Sequence, residues 1–327
     1  MGRLAHSPKH KQEHFMIAET ARKLRENIQK VIIGKDEIID LALIAMLTGG
    51  HLLLEDVPGT GKTTLAKTIA ASLGCTFRRV QFTPDLLPSD VTGIYFYNQK
   101  KQEFEFRPGP IFAQILLADE INRATPRTQS SLLEAMQEQQ VTVDIATHRL
   151  ERPFLVLATQ NPVELEGTFP LPEAQLDRFL MKVAIGYPSA EEENNILLRF
   201  ERQDPLETLE KVVEPAEILA MQETVRTIRV ETSVRNYIVN VCRATRSHED
   251  IELGASPRAT MALYRTCQAL AAIRDRDFVI PDDVKTMAPY VLTHRLMVNP
   301  QTRLRGRQPE DVIREVVDTV PVPVESN

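Results

Sequence analysis

The chemistry of this chain starts at Lys62 and Thr63. They end a glycine-containing loop, Pro58-Gly59-Thr60-Gly61, and with Thr64 they begin a segment of helical apolar spacing. Before the loop stands a short apolar run, Leu52 to Leu54. After it, Thr63 to Ser72 reads as a helix, with Leu65, Ile69 and Leu73 toward one face. Strand, loop and helix in that order form the context of a phosphate-binding loop. Such a loop presses backbone N–H groups against phosphate oxygens. Gly59 and Gly61 allow the backbone angles this needs and leave no side chain in the way. Lys62 would place a point charge on the β- and γ-phosphates, and Thr63 would turn its hydroxyl to Mg²⁺. The pattern G-x-x-x-x-G-K-[ST] has Asp56 where its first glycine stands; that position opens the turn and does not hold the phosphate.

A second constellation follows at Ile115-Leu116-Leu117-Ala118-Asp119-Glu120, an apolar strand with two carboxylates at its C-terminal end. Ligands of open parallel sheets sit at that end. A strand ending in two exposed acids is common; one preceded by a phosphate-binding loop points to Asp119 as a Mg²⁺ ligand and Glu120 as the group that polarises the attacking water. Asn161 closes another apolar run, Phe154 to Thr159, where its amide could meet the γ-phosphate or the water. By itself, Asn161-Pro162 is simply a turn.

The elements that must hold these residues can be read from periodicity. Phe15 to Val31 and Glu37 to Leu47 have helical spacing; Thr76 to Phe82 and Met181 to Ile185 read as strands. Gly93 to Tyr97 with Glu103 to Phe106, and Val141 to Val143 with His148 to Leu150, read as hairpins. Four or five buried strands alternating with helices predict an α/β domain with a mostly parallel sheet. Beyond Pro188 the strand runs cease. Ser189 and Glu192 form a capping box for a helix through Phe200. A charged linker, Gln203 to Val213, leads to helices near Pro215–Ile228, Thr232–Arg246, Ser256–Ile273 and Pro281–Leu292, an all-helical second region. The expected organisation is a disordered lead over 1–14, an α/β core over 15–188, a helical domain over 189–300 and a partly frayed tail over 301–327.

Composition narrows the class. The 327 residues are 43% hydrophobic and 26% charged with a net charge of −6, the profile of a globular protein and not of a strongly basic nucleic-acid binder. No apolar run approaches the roughly 20 residues of a membrane-spanning helix. The three cysteines, Cys75, Cys242 and Cys267, are scattered without metal-ligand spacing, and a reducing cytoplasm is their natural compartment.

Taken together, these motifs resemble those of an AAA+ ATPase, and more narrowly of the MoxR family. The resemblance runs from about Phe15 to Leu292 and rests on Asp56 to Thr63, Leu116 to Ala124, Ala158 to Pro162, Glu173 to Phe179 and Gly254 to Ala259, in that order. It implies a P-loop core with a smaller helical lid. It makes Lys62 and Thr63 Walker A residues, Asp119 and Glu120 Walker B residues and Asn161 sensor 1. By the same resemblance Arg178 is an arginine finger that reaches a neighbouring subunit, Arg258 is sensor 2, and Gly34 lies in the segment lining the adenine pocket. Whether Arg258 serves its own nucleotide or a neighbour's varies in this clade.

The expectation is therefore ATP hydrolysis with Mg²⁺ in a homo-oligomeric ring, a hexamer. Its work would be to remodel or mature protein clients, including partners with a von Willebrand factor A domain, and in some cases to insert metal cofactors. The enzyme-class alternative is a magnesium-chelatase-like motor subunit. A nucleic-acid motor of the same clade would use the hairpin around His148, Arg149 and Arg152; acidic Asp144 in that hairpin and the acidic pI of about 5.8 count against it.

Overall fold

A computed structural model describes residues 8–55, 59–144, 146–161, 167–201 and 203–323, with side chains from Phe15 onward. Helix α1 (Pro8–Gln29) begins inside the stretch expected to be a disordered lead. Its polar start is compatible with a helix because Pro8 occupies the first turn, where no N–H is needed. Helix α2 (Asp36–Thr48) stops at Gly49, whose left-handed φ of 67° lets its N–H cap the last turn. Strand β1 (Leu52–Glu55), helix α3 (Lys62–Leu73) and strand β2 (Phe77–Gln81) follow.

A short helix, α4 (Pro88–Thr92), then leads to the hairpin β3 (Gly93–Asn98) and β4 (Glu103–Pro108). Strand β5 (Ile115–Asp119) and helix α5 (Pro126–Glu138) return the chain to the core. A second hairpin, β6 (Gln140–Val143) and β7 (Ala146–Arg149), precedes strand β8 (Leu155–Gln160). Helix α6 (Glu173–Leu176) and strand β9 (Met181–Val183) end the α/β part.

The region after β9, where the lid is expected, comprises α7 (Ala190–Phe200), α8 (Pro215–Val225), α9 (Thr232–Ser247), strand β10 (Ile251–Leu253), α10 (Pro257–Ile273), α11 (Pro281–Leu292), strand β11 (Met297–Val298), α12 (Pro300–Leu304) and α13 (Pro309–Thr319). The pairing of β10 with β11 is an antiparallel ribbon within a region that periodicity alone reads as purely helical. Two- and three-residue strands are too short to show a period, so sequence patterning passes over them.

The central sheet is parallel throughout, in the order β2-β5-β8-β1-β9. Its side chains divide between two cores. Leu52, Leu54, Ile115, Leu117, Leu155 and Leu157 join the cluster that contains α1, α2, α3 and the lid helices. Leu53, Leu116, Val156 and Ala158, one position out of step, face α5 and the hairpins. The three inner strands, β5, β8 and β1, are thus apolar on both faces, as a sheet covered by helices on both sides requires. Full burial of one such side chain stabilises by about 1.5–3 kcal/mol.

The first cluster runs without a break from the sheet into the lid, through Ile218, Leu263 and Val284. Specific bonds fix that seating. Gln222 Nε2 donates to Met46 O at 2.6 Å. The segment between α7 and α8 packs back on α3: Asn27 Nδ2 donates to Glu210 O and to Ser72 Oγ, each at 3.0 Å.

Candidate nucleotide site

The phosphate loop emerges from the C-terminal end of β1. Gly59 and Gly61 adopt φ of 86° and 85°, in the left-handed region that favours glycine, and a Cβ at either position would meet no atom within 4 Å. Space is therefore not what selects glycine there; backbone conformation is. Gly61 is the residue before α3, which starts at Lys62, so the helix directs its free N–H groups and positive dipole end at the loop. Lys62 Nζ donates to Thr60 Oγ1 at 3.3 Å. Pro58 lies outside the described residues.

A cleft of about 380 Å³ brings together Gly59, Gly61, Lys62, Thr63, Arg79, Asp119, Glu120, Thr159 and Asn161. The carboxylates of Asp119 and Glu120 and the Asn161 amide thus converge on the loop, because β8 lies between β1 and β5 and the parallel strands end on the same side of the sheet. Thr64 belongs to the neighbouring apolar pocket, described below.

The two carboxylates are held by neighbours that the sequence reading passes over. Thr159 Oγ1 donates to Asp119 Oδ1 at 2.6 Å and accepts from the Glu120 N–H at 2.8 Å. Arg79 Nη2 donates to Asp119 Oδ2 at 2.6 Å and to Gln81 Oε1 at 3.0 Å. Gln81 Nε2 in turn donates to Glu120 Oε2 at 2.7 Å, and Arg123 Nη1 reaches the same oxygen at 3.0 Å. Arg79 and Gln81 are two apart on β2 and so project from one face of the strand. Glu120 has φ 55° and ψ 50°, a left-handed conformation uncommon for a residue with a side chain. Such backbone conformations concentrate at functional sites.

Thr63 and Asp119 offer a hydroxyl and a carboxylate in one cleft, hard oxygen donors of the kind Mg²⁺ accepts while phosphates and water complete its shell. Among the described residues there is no group of three or more His, Cys, Asp or Glu able to hold a metal. The donor set therefore suits a cation that arrives with a phosphate ligand.

Sharing Gly59 and Gly61 with this cleft is an apolar pocket of about 200 Å³. Val31, Ile32, Ile185, Ile196 and Phe200 are among its walls. Ile33 and Lys35 line it, and Gly34 between them does not. Gly34 has φ 69°, and a Cβ on it would lie 1.7 Å from Glu192 Oε1. Its part is to let the chain pass close to the capping box of α7, where Glu192 Oε2 accepts from the Ser189 N–H at 2.6 Å. The walls come from four separate stretches of chain, so no local pattern announces this pocket.

Arg178 and Arg258 lie elsewhere. They share a cleft of about 290 Å³ with Gly49, Gly50, His51 and Arg295. Those glycines precede β1, so this cleft is at the N-terminal ends of the strands. The register agrees: Leu52 pairs with Met181, so Arg178 precedes β9 at the end of the sheet where Gly49 precedes β1. Arg258 Nη1 lies 3.8 Å from Asp177 Oδ2, half-exposed at the start of α10. The two arginines are thus together, and on the opposite edge of the sheet from Lys62 and Glu120 of the same chain.

A parallel sheet, a glycine-containing loop between β1 and the helix after it, paired acids at the end of β5 two strands away and a helical lid define an AAA+ ATPase. The model for the ATPase family associated with various cellular activities (AAA) matches residues 51–181, and that for the AAA lid domain matches residues 243–316. The chain is 52% identical to YeaC of Bacillus subtilis over 93% of its own length and 95% of the relative's. It is 43% identical to Chaperone MoxR1 of Mycobacterium tuberculosis, over 90% of this chain and 80% of that one. A crystal structure of a protein from Cytophaga hutchinsonii superposes with a TM-score of 0.90 at 38% identity, covering 96% of this chain and 98% of that chain. The chain belongs to the MoxR family of AAA+ ATPases.

Proposed function

We propose that the protein hydrolyses ATP with Mg²⁺ at sites shared between subunits of a head-to-tail ring, and uses the cycle to remodel partner proteins. The observation that carries this reading is the separation of Arg178 and Arg258 from the phosphate loop. β1 spans Leu52 to Glu55, about 10 Å of strand, and the two clefts sit beyond its opposite ends. An arginine at one end cannot serve the phosphates at the other end of its own sheet. It can serve those of an identical subunit placed next to it. On this reading both arginines, Arg258 included, act in trans.

In such a site Gly59 to Thr64 and the start of α3 bind the phosphates, and Lys62 neutralises them. The apolar pocket walled by Ile185, Ile196 and Phe200 takes the base. Thr63 and Asp119 would hold Mg²⁺, which supplies charge neutralisation at the β- and γ-phosphates when bound. Glu120 takes the proton of the attacking water, Asn161 orients that water, and Arg178 and Arg258 of the neighbour complete the charge stabilisation. Sequence relatedness to a protein named as a chaperone supports a protein client. A client with a von Willebrand factor A domain, a hexameric ring and a cytoplasmic setting are the finer parts of the proposal; no helix among the described residues is long and apolar enough to cross a membrane.

The nucleic-acid motor is disfavoured by the second hairpin. His148 is stacked on Phe106 with ring centroids 4.0 Å apart, and the Tyr95 hydroxyl lies 3.2 Å from its Nε2. Arg152 donates to Gln222 Oε1 in the lid at 3.1 Å. Two of the three basic groups that would face a nucleic acid are engaged within the protein.

The test is the steady-state ATPase rate against protein concentration, with molecular mass measured with and without ATP. Specific activity should rise with concentration. Arg178→Ala should bind ATP normally yet lose about 10³-fold or more in turnover. A rate independent of concentration in a monomer, and indifferent to Arg178, would overturn the shared site.

A further inference from the structure

Two exposed helix faces in this chain carry matched patterns of opposite charge. On α9, Arg235, Val239 and Arg243 follow at every fourth position and are all exposed. They border a groove of about 580 Å³ whose other wall, on α10, includes Met261 and Arg265. On α7, Glu193 and Leu197 stand four apart, and Glu201 continues the row with helical backbone angles. Both rows read charge, apolar, charge over a span of about 12 Å.

These faces are unsatisfied within the chain. Helix α7 has no buried residue; Leu197 is 71% and Leu198 61% exposed, and across the groove Met261 is 56% exposed. Arg235, Arg243, Glu193 and Glu201 make no ion pair among the described residues. A contiguous apolar strip rimmed by one sign of charge marks a protein-binding surface.

Their placement selects the occupant. The groove is continuous with the Arg178–Arg258 cleft, because Met261 and Arg265 line both. Helix α7 flanks the other functional cleft, because Ile196 and Phe200 wall the apolar pocket beside the phosphate loop. A neighbour whose Arg178 and Arg258 approach this chain's phosphate loop therefore brings its α9–α10 groove toward this chain's α7.

We propose that the α9–α10 groove of one copy receives α7 of the adjacent copy, with Arg235 and Arg243 facing Glu193 and Glu201 around a Val239–Leu197 contact. This rests on the head-to-tail arrangement inferred above and adds to it a lid contact distinct from the arginines of the ATPase site. It has a mechanical consequence. Seating α7 braces Ile196 and Phe200 from outside, so assembly and nucleotide retention reinforce each other.

Charge reversal tests it on the intact chain. Mass is followed by sedimentation with ATP for the wild type, for Arg235→Glu/Arg243→Glu and for Glu193→Arg/Glu201→Arg, with far-ultraviolet circular dichroism and thermal melts confirming that each variant folds. Each double variant alone should need at least about tenfold more protein for half-assembly, since like charges then meet. An equimolar mixture of the two should assemble near the wild-type concentration, because alternating subunits restore opposite charges at every contact. A wild type that assembles, with both variants assembling equally well, overturns this contact and leaves the ring standing. Variants that fail alone and also fail when mixed overturn the pairing of these two faces. A wild type that stays monomeric with ATP overturns both the ring and the contact.

Discussion

Arg295, in the lid, donates through Nε to Asp177 Oδ1 at 2.6 Å, and Asp177 is the residue immediately before Arg178. The same guanidinium donates to Phe179 O at 2.6 Å and to Leu180 O at 3.0 Å. The lid thus holds the backbone on both sides of Arg178. Arg295 is almost wholly buried; burial pulls its pKa down, and the Asp177 carboxylate opposes that pull and keeps the charge matched. Loss of one member of a buried charge pair leaves the other uncompensated. Arg295→Met should therefore lower unfolding stability by about 3 kcal/mol, read by urea denaturation. At temperatures where the variant is folded, it should also reduce ATP turnover without weakening ATP binding. Turnover equal to the wild type in the folded variant would show that Arg178 needs no such support.

Glu120 offers the most direct test of the chemistry. Glu120→Gln preserves the side-chain shape and leaves the phosphate loop intact. Fluorescent-ATP affinity should change little, while hydrolysis should fall at least about 10²-fold, as expected for loss of a general base. Normal turnover would remove Glu120 from the role of base.

Arg79 and a metal ion make claims on the same carboxylate. Thr159 takes one oxygen of Asp119 and Arg79 takes the other. A cation bound to Asp119 has to share or displace one of these donors. Arg79→Leu should lower the Mg²⁺ concentration for half-maximal binding of fluorescent ATP by roughly two- to fivefold, the scale of a partly exposed ion pair. An unchanged Mg²⁺ dependence would mean that Arg79 only steadies β2 against β5.

His51 ties stability to pH. Its Nδ1 accepts from the Val156 N–H at 3.0 Å and its Nε2 lies 3.1 Å from Met136 O, a pairing that needs the neutral ring. Burial pulls its pKa down to about 4. The unfolded chain, with an ordinary histidine pKa near 6.5, binds the proton first as pH falls. The contribution is therefore zero well above pH 6.5 and destabilising below it, growing until about pH 4, where it reaches about 3 kcal/mol. Buried His294 shifts in the same direction and adds to the slope. Urea midpoints measured between pH 7 and pH 5 should decline, and His51→Gln should flatten part of the decline. A slope unaffected by that substitution would assign the pH dependence to other groups.

Much of the architecture was legible from local signals. The phosphate loop, the apolar run before Asp119 and Glu120, the two hairpins and the Ser189–Glu192 capping box all depend on residues a few positions apart. Backbone angles, strand alternation and helix caps are decided at that range, so residue type and spacing report them. The parallel sheet and the helical region after Pro188 follow from the same periodicities. The start of α1 at Pro8 and the β10–β11 ribbon were not legible, because a polar helix turn and a two-residue strand carry no period.

What the tertiary structure alone decided is which distant residues meet. The strand order β2-β5-β8-β1-β9 sets Arg79 against Asp119 and Thr159 beside Glu120, across tens of positions in the chain. It also sets Arg178 at the opposite strand ends from Lys62, which turns two arginine motifs into an argument for a neighbouring subunit. The apolar pocket drew Val31, Ile185 and Phe200 together, and Gly34 was committed to the capping box of α7 rather than to that pocket. Periodicity says which face of a strand is buried; it does not say which strand lies beside it. That choice is made by how whole faces pack, and it is the packing that assembled the site.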